Sequence, residues 1–170
     1  MPKPRHILGF ALTLIALQAD AAEVLLTMES YGPIRIGMGV SQVHGELKKM
    51  GRKNLPNPSA VEEIGCDYYS PSRNLSFMTN DRRIVRIETS EASVFTPSGL
   101  RVGTPTSKAK SLFGSRIEDT QQFYSGDSKD RTMVMVSANG KHAMRFEADD
   151  RITEMYAGYT HSIRYVEGCS

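Results

Sequence analysis

Apolar and small residues run unbroken through residues 7–17 (ILGFALTLIAL), and hydrophobic ones are patterned thereafter. After Val40 they recur at Val43, Leu47 and Met50, the three-and-four spacing of one buried helix face, and Gly51 closes the pattern. Gly39 or Ser41 is the expected N-cap. A second stretch carries Ala109, Leu112 and Phe113 ahead of Gly114. There Thr104 reads as the N-cap and Pro105 as the first helical residue, where its missing N–H leaves nothing unsatisfied. A short strand is expected before each helix, at residues 33–36 and 100–102. Strand patterns follow each helix, at residues 66–70, 75–79, 83–89 and 93–96, then at 131–137, 142–147, 151–157 and 163–166. Thr132, Val134 and Val136 alternate with Met133 and Met135, as expected of a strand with one buried face. Asn139-Gly140 between two such runs is a strong hairpin signal. Pro56 and Pro58 make residues 53–59 a loop, and SGDSKD at 125–130 is a polar one.

The pattern occurs twice. Gly32-Pro33-Ile34-Arg35-Ile36-Gly37 before the first helix resembles Ser98-Gly99-Leu100-Arg101-Val102-Gly103 before the second, at an offset of 66 residues. Phe77 and Ile84 match Phe146 and Ile152, at offsets of 69 and 68. Two matched segments in the same order at nearly the same spacing argue for a duplicated unit. The expected fold is therefore α+β: two tandem units, each a short helical segment packed on an antiparallel sheet, sharing one body. The units would span residues 22–97 and 98–170.

The apolar run at 7–17 follows a short basic segment (MPKPRH) and precedes Ala19 and Ala21 in the small-residue positions of a cleavage site. It is too short to span a bilayer. Residues 1–21 thus read as a signal peptide, and the mature protein as periplasmic or secreted. Cysteine use agrees, since an even count in an exported chain predicts a disulfide between Cys66 and Cys169. The leader holds Lys3, Arg5 and Asp20, so the whole-chain charge of +2 falls to +1 without it. A chain this close to neutral has no overall pull on nucleic acid or an anionic membrane.

No catalytic grammar emerges. His44, His142 and His161 are scattered, with no HExxH and no cysteine–histidine cluster, so no metal or cofactor site is expected and the histidines read as incidental surface residues. Gly37-Met38-Gly39 lacks the third glycine of a dinucleotide fingerprint and reads as a turn. Asp149-Asp150 and the acids at 127 and 130 fit no calcium loop. Tyrosine is the more informative residue, because its rigid ring and hydroxyl favour recognition surfaces. In Tyr68-Tyr69 one ring must face the core and the other the opposite side of the strand. The candidate partner-binding residues are Tyr68, Tyr69, Tyr124 and Tyr156, with Asp127 and Lys129 of the neighbouring polar loop. They are expected on sheet strands and loops, because the helices need their single apolar stripes for the core.

The Gly turn, capped helix and β-meander of each unit resemble the repeat of the β-lactamase-inhibitor-protein-like fold, shared with the SmpA/OmlA outer-membrane assembly lipoproteins. The Tyr165-Val166-Glu167-Gly168-Cys169 tail is similar to that of uncharacterised bacterial exported proteins. This chain has no cysteine at the cleavage site to carry a lipid anchor and no match to an inhibitor loop, so no binding residue carries over. Fold analogy alone does not give function. The missing catalytic grammar, the tyrosines and charged loops, and the protein-recognition scaffold that the resemblance implies together lead to the expectation of an exported, non-enzymatic protein-binding module, an inhibitor or accessory factor of an envelope or secreted protein. A structural protein of envelope assembly is the alternative, and an enzyme without a recognisable motif the third.

Overall fold

The computed structural model describes residues 23–169, and the expected leader lies outside them. The chain runs β1 (Val24–Thr27), β2 (Ser30–Tyr31), β3 (Ile34–Arg35), α1 (Val40–Lys49), β4 (Cys66–Ser72), β5 (Leu75–Asn80), β6 (Arg83–Thr89) and β7 (Val94–Phe95). It continues through α2 (Thr106–Phe113), β8 (Ile117–Gln121), β9 (Arg131–Val136), β10 (His142–Ala148), β11 (Ile152–Tyr159) and α3 (Thr160–Arg164). The architecture is α+β with two sheets. The small one has the order β3-β2-β1-β7, and the large one β4-β5-β6-β11-β10-β9-β8. Every neighbouring pair in the large sheet is antiparallel, whereas β1 and β7 pair in parallel. None of the described helices is long and apolar enough to cross a membrane.

Period-two alternation divides the large sheet into an apolar and a polar face. Tyr69, Phe77, Ile87, Met155, Phe146 and Met133 pack in one buried cluster with Val40, Val43 and Leu47 of α1 and Ala109 of α2. Tyr31, Arg52 and Glu91 tie the small sheet to this body. The Tyr31 hydroxyl and both terminal nitrogens of Arg52 donate to Glu91, at 2.5–2.8 Å. Strands β6 and β11 meet at the middle of the large sheet, with Gly158 opposite Arg86. A Cβ on Gly158 would lie 2.3 Å from the Val85 carbonyl oxygen, so this seam closes only around glycine.

The loops leading into α1 and α2 dock alike. The Gly37 N–H donates to the Ile84 carbonyl and the Ile84 N–H to Met38, at 2.8 and 2.9 Å. The Gly103 N–H donates to Ile152 and the Ile152 N–H to Thr104, at the same distances. Arg83 Nη1 donates to the Gly37 carbonyl, and Arg151 Nη1 to that of Gly103. Both glycines have positive φ, +90° and +86°, which L side chains rarely adopt.

Several expectations are corrected. Residues 100–102 form no strand: the buried Leu100 turns back on Thr96, donating its N–H to Thr96 Oγ1 and accepting from the Thr96 N–H. The N-cap of α2 is Pro105, because the Thr104 hydroxyl accepts from the Arg101 N–H and closes that turn instead. Leu112 is exposed, so α2 buries only Ala109 and leans on Phe113. Residues 163–166 are not a strand either. Their stretch begins as α3, whose Thr160 is held by hydrogen bonds to Lys141 and Gly140. Strands β1, β2 and β8 went unforeseen. The first two are short, and IEDTQ of β8 shows one apolar residue.

The disulfide joins Cys66 at the start of β4 to Cys169 near the chain's end, with Cα atoms 5.3 Å apart. It fixes the segment after α3 across the polar face of the large sheet.

Candidate functional site

The polar face is built by strand alternation and register. Tyr68 of β4 lies opposite Met78, Arg86 opposite Met78 and Gly158, and Glu88 opposite Tyr156. On β10, Arg145 lies opposite Tyr156 and Val134, and Glu147 opposite Glu154 and Thr132. This row of charged residues is largely buried on strands whose other face packs in the core, so it needs internal compensation. Arg86 pairs with Glu88 at 2.6 Å and Arg145 with Glu147 at 2.9 Å, the latter too bent for a hydrogen bond. Their remaining N–H groups hold the tail. Arg86 Nη1 donates to the carbonyls of Ser162 and Tyr165, at 2.7 and 3.0 Å. Arg145 Nη1 donates to those of Ile163 and Tyr165, at 2.9 and 3.1 Å. The Tyr156 ring lies under both guanidinium groups, 4.1 Å from Arg145 Cζ and 5.5 Å from Arg86 Cζ. The two arginines thus do for the tail's carbonyls what a neighbouring strand would have done.

The tail lies over Tyr68 and Arg86 on this face, pinned by the disulfide. Beside them a groove of about 650 Å³ opens over β8–β11. Its floor carries Thr132, Val134, Arg145, Glu147, Glu154 and Tyr156. One wall is Phe123 and Tyr124, and the other is Ile163, Arg164 and Val166. Arg164 Nη2 donates to both carboxylate oxygens of Glu118, at 2.9 and 3.0 Å, bracing α3 against β8. The Tyr124 hydroxyl donates to Glu167 and links the walls. Phe123 and Tyr124 are 76% and 66% exposed, an uncovered aromatic pair in edge-to-face contact. Burial lifts the Glu154 carboxyl above its ordinary range. The neighbouring Glu88 and Glu147 add to this, against a hydroxyl donated by Tyr156 at 2.6 Å and the charge of Arg145. The Tyr156 phenol is held protonated by burial and by that same hydrogen bond.

The residues singled out from sequence divide accordingly. Tyr156 is in the groove floor and Tyr124 in its wall. Tyr68 shares the face but lies half-buried beneath the tail, its hydroxyl accepting from Arg86 Nη2 at 2.9 Å. Tyr69 is corrected: it points into the core, 1% exposed and hydrogen-bonded to His44 Nδ1 at 2.7 Å, with no surface to offer a partner. Asp127 and Lys129 are exposed but form a turn outside the groove, where Asp127 accepts from the Lys129 N–H. His142 is corrected as well, being buried and stacked on Tyr159. Sequence reading missed Phe123, Arg145, Glu147 and Glu154. For the last three a signal existed: Arg145 and Glu147 stand two apart in the otherwise apolar HAMRFEA, and Glu154 stands two before Tyr156 in ITEMYAGY.

Among the described residues no group of three or more His, Cys, Asp or Glu side chains is placed to hold a metal ion. The groove brings together an aromatic wall, a part-buried carboxylate and hydroxyls. A scan against protein-family models, a search of curated proteins and a search of solved structures each found no match.

Proposed function

We propose that this chain is an exported, non-enzymatic protein-binding module whose β8–β11 groove receives a segment of another envelope or secreted protein. The observation that carries the reading is the uncovered Phe123–Tyr124 pair standing over a polar, fully structured sheet face. Exposed aromatics around a recessed polar floor are the anatomy of a recognition surface rather than of a solvated one. Export is supported by the basic, apolar and small-residue order of residues 1–21 and by the Cys66–Cys169 disulfide, which reducing cytoplasm disfavours. On this reading the chain is also two tandem units. The matched docking of Gly37 on Ile84 and Gly103 on Ile152 supports that. So does the large sheet's order, in which β4-β5-β6 and β9-β10-β11 meet head-on through β6 and β11. The resemblance to inhibitor-like and assembly-factor repeats points the same way but names no partner.

The test is affinity purification from the periplasm or medium, with the mature protein as bait and the Phe123→Ala/Tyr124→Ala variant beside it. The reading expects a partner retained by the wild type and lost by the variant at unchanged melting temperature. Equal recovery by both baits would move the binding surface elsewhere. Turnover of a small molecule by the purified protein would replace the reading with an enzyme.

A further inference from the structure

Three carboxylates and two guanidinium groups line the groove: Glu118, Glu147 and Glu154 against Arg145 and Arg164. Arg164 is taken by Glu118 and Arg145 by Glu147. Glu154 is left over. Among the described residues it has a hydrogen bond from the Tyr156 hydroxyl and no ion pair. A half-buried carboxylate without a cation is an expensive thing for a fold to keep, because burial penalises the charged form. The direction of its titration agrees: burial holds the Glu154 carboxyl high, and the charge of Arg145 does not offset it. The same groove has an aromatic wall whose ring faces are uncovered, Phe123 and Tyr124 being 4.9 Å apart and open to solvent. Aromatic faces attract cations and accept the apolar stem that carries one.

We infer that the groove takes a lysine or arginine side chain from the partner protein, its stem lying along Phe123 and Tyr124 and its cationic head reaching Glu154. The inference rests on the groove being the partner-binding surface. Charge complementarity selects this occupant over an acidic segment, since both groove arginines are already paired and an incoming carboxylate would meet Glu154 as a like charge. A cation seated beside Glu154 favours its charged form against the burial that raises the carboxyl, so binding releases a proton and tightens as pH rises through that titration.

Three capped pentapeptides test it: Ala-Phe-Lys-Phe-Ala, and the same peptide with norleucine or glutamate in place of lysine. Each is titrated to about 5 mM, the weak-binding range, into the 15N-labelled mature protein, and amide shifts are followed by NMR. The lysine peptide is expected to move the amides of Tyr124, Thr132, Glu154 and Tyr156, and to bind about tenfold tighter than the norleucine peptide. Glu154→Gln should erase that preference while its own spectrum shows the fold intact, and Phe123→Ala should weaken the lysine and norleucine peptides alike. Norleucine or glutamate peptides binding in the groove as well as lysine would overturn the inference and leave the groove as a binding surface. Groove amides unmoved by all three peptides would overturn both.

Discussion

Replacing Arg86 with leucine should be among the most damaging single changes in this protein. The guanidinium is buried on the polar face, and five interactions end with it. They are the carbonyls of Ser162 and Tyr165 at 2.7 and 3.0 Å, the Tyr68 hydroxyl at 2.9 Å, the Glu88 carboxylate at 2.6 Å and the stack on Tyr156. Each abandoned buried acceptor costs about 1–3 kcal/mol. Breaking a buried pair while its partner charge stays behind costs about 3–5 kcal/mol. These losses overlap, because the same water that reaches Glu88 also reaches the freed carbonyls. The expected total is about 4 kcal/mol, or a fall of about 8–16 °C in melting temperature for a domain of this size. Urea unfolding at constant m-value reads it directly. The Arg86→Leu/Glu88→Leu double variant separates the pair from the packing. Removing both charges should cost less than Arg86→Leu alone, because no uncompensated carboxylate remains. A single-variant loss below about 1 kcal/mol, or a double variant that sums two independent costs, would refute the argument that this network holds the tail.

The Cys66→Ala/Cys169→Ala variant opens a crosslink between residues 103 apart and should lose about 2–4 kcal/mol, read by denaturation with and without reductant. Two glycine substitutions should go opposite ways: Gly158→Ala forces a Cβ onto the Val85 carbonyl and costs about 3 kcal/mol, whereas Gly45→Ala, mid-helix in open space, gains about 1 kcal/mol. Because Glu154 titrates higher folded than unfolded, the folded state binds the extra proton. Its contribution is therefore fully present below the ordinary glutamate value and is lost as pH rises through its folded one. Glu154→Gln should remove that decline, so the variant gains stability relative to wild type on the alkaline side, and parallel curves for the two would contradict the assignment.

Helix α1 was legible because its apolar residues recur at the helical period and Gly51 closes it, and β6 because its apolar run is rich in β-branched residues. Tail and groove were not, and the reason is physical. Residues 163–166 look like a strand locally, but the partners of their carbonyls are Arg86 and Arg145, which are distant in sequence. No local propensity encodes that choice. Strand β8 is amphipathic only weakly and exists because β9 offers it an edge. Of the tyrosines singled out, Tyr124 and Tyr156 line one groove. The groove's charge imbalance could not be read, since it depends on which carboxylate each arginine reaches across strands. Tyr68 and Tyr69 show the limit neatly: alternation says the two rings part, and only the structure says which one the core keeps.

Site-specific photo-crosslinking tests most directly the claim that this groove, and not the helical side, meets the partner. A photoreactive phenylalanine is placed at Tyr124 in the groove wall, and in a second protein at Lys108, exposed on α2. Both are irradiated in the intact producing cell. The account predicts a discrete higher-mass adduct from position 124 and none from position 108. An adduct from position 108 alone, equal adducts from both, or none from either would contradict it.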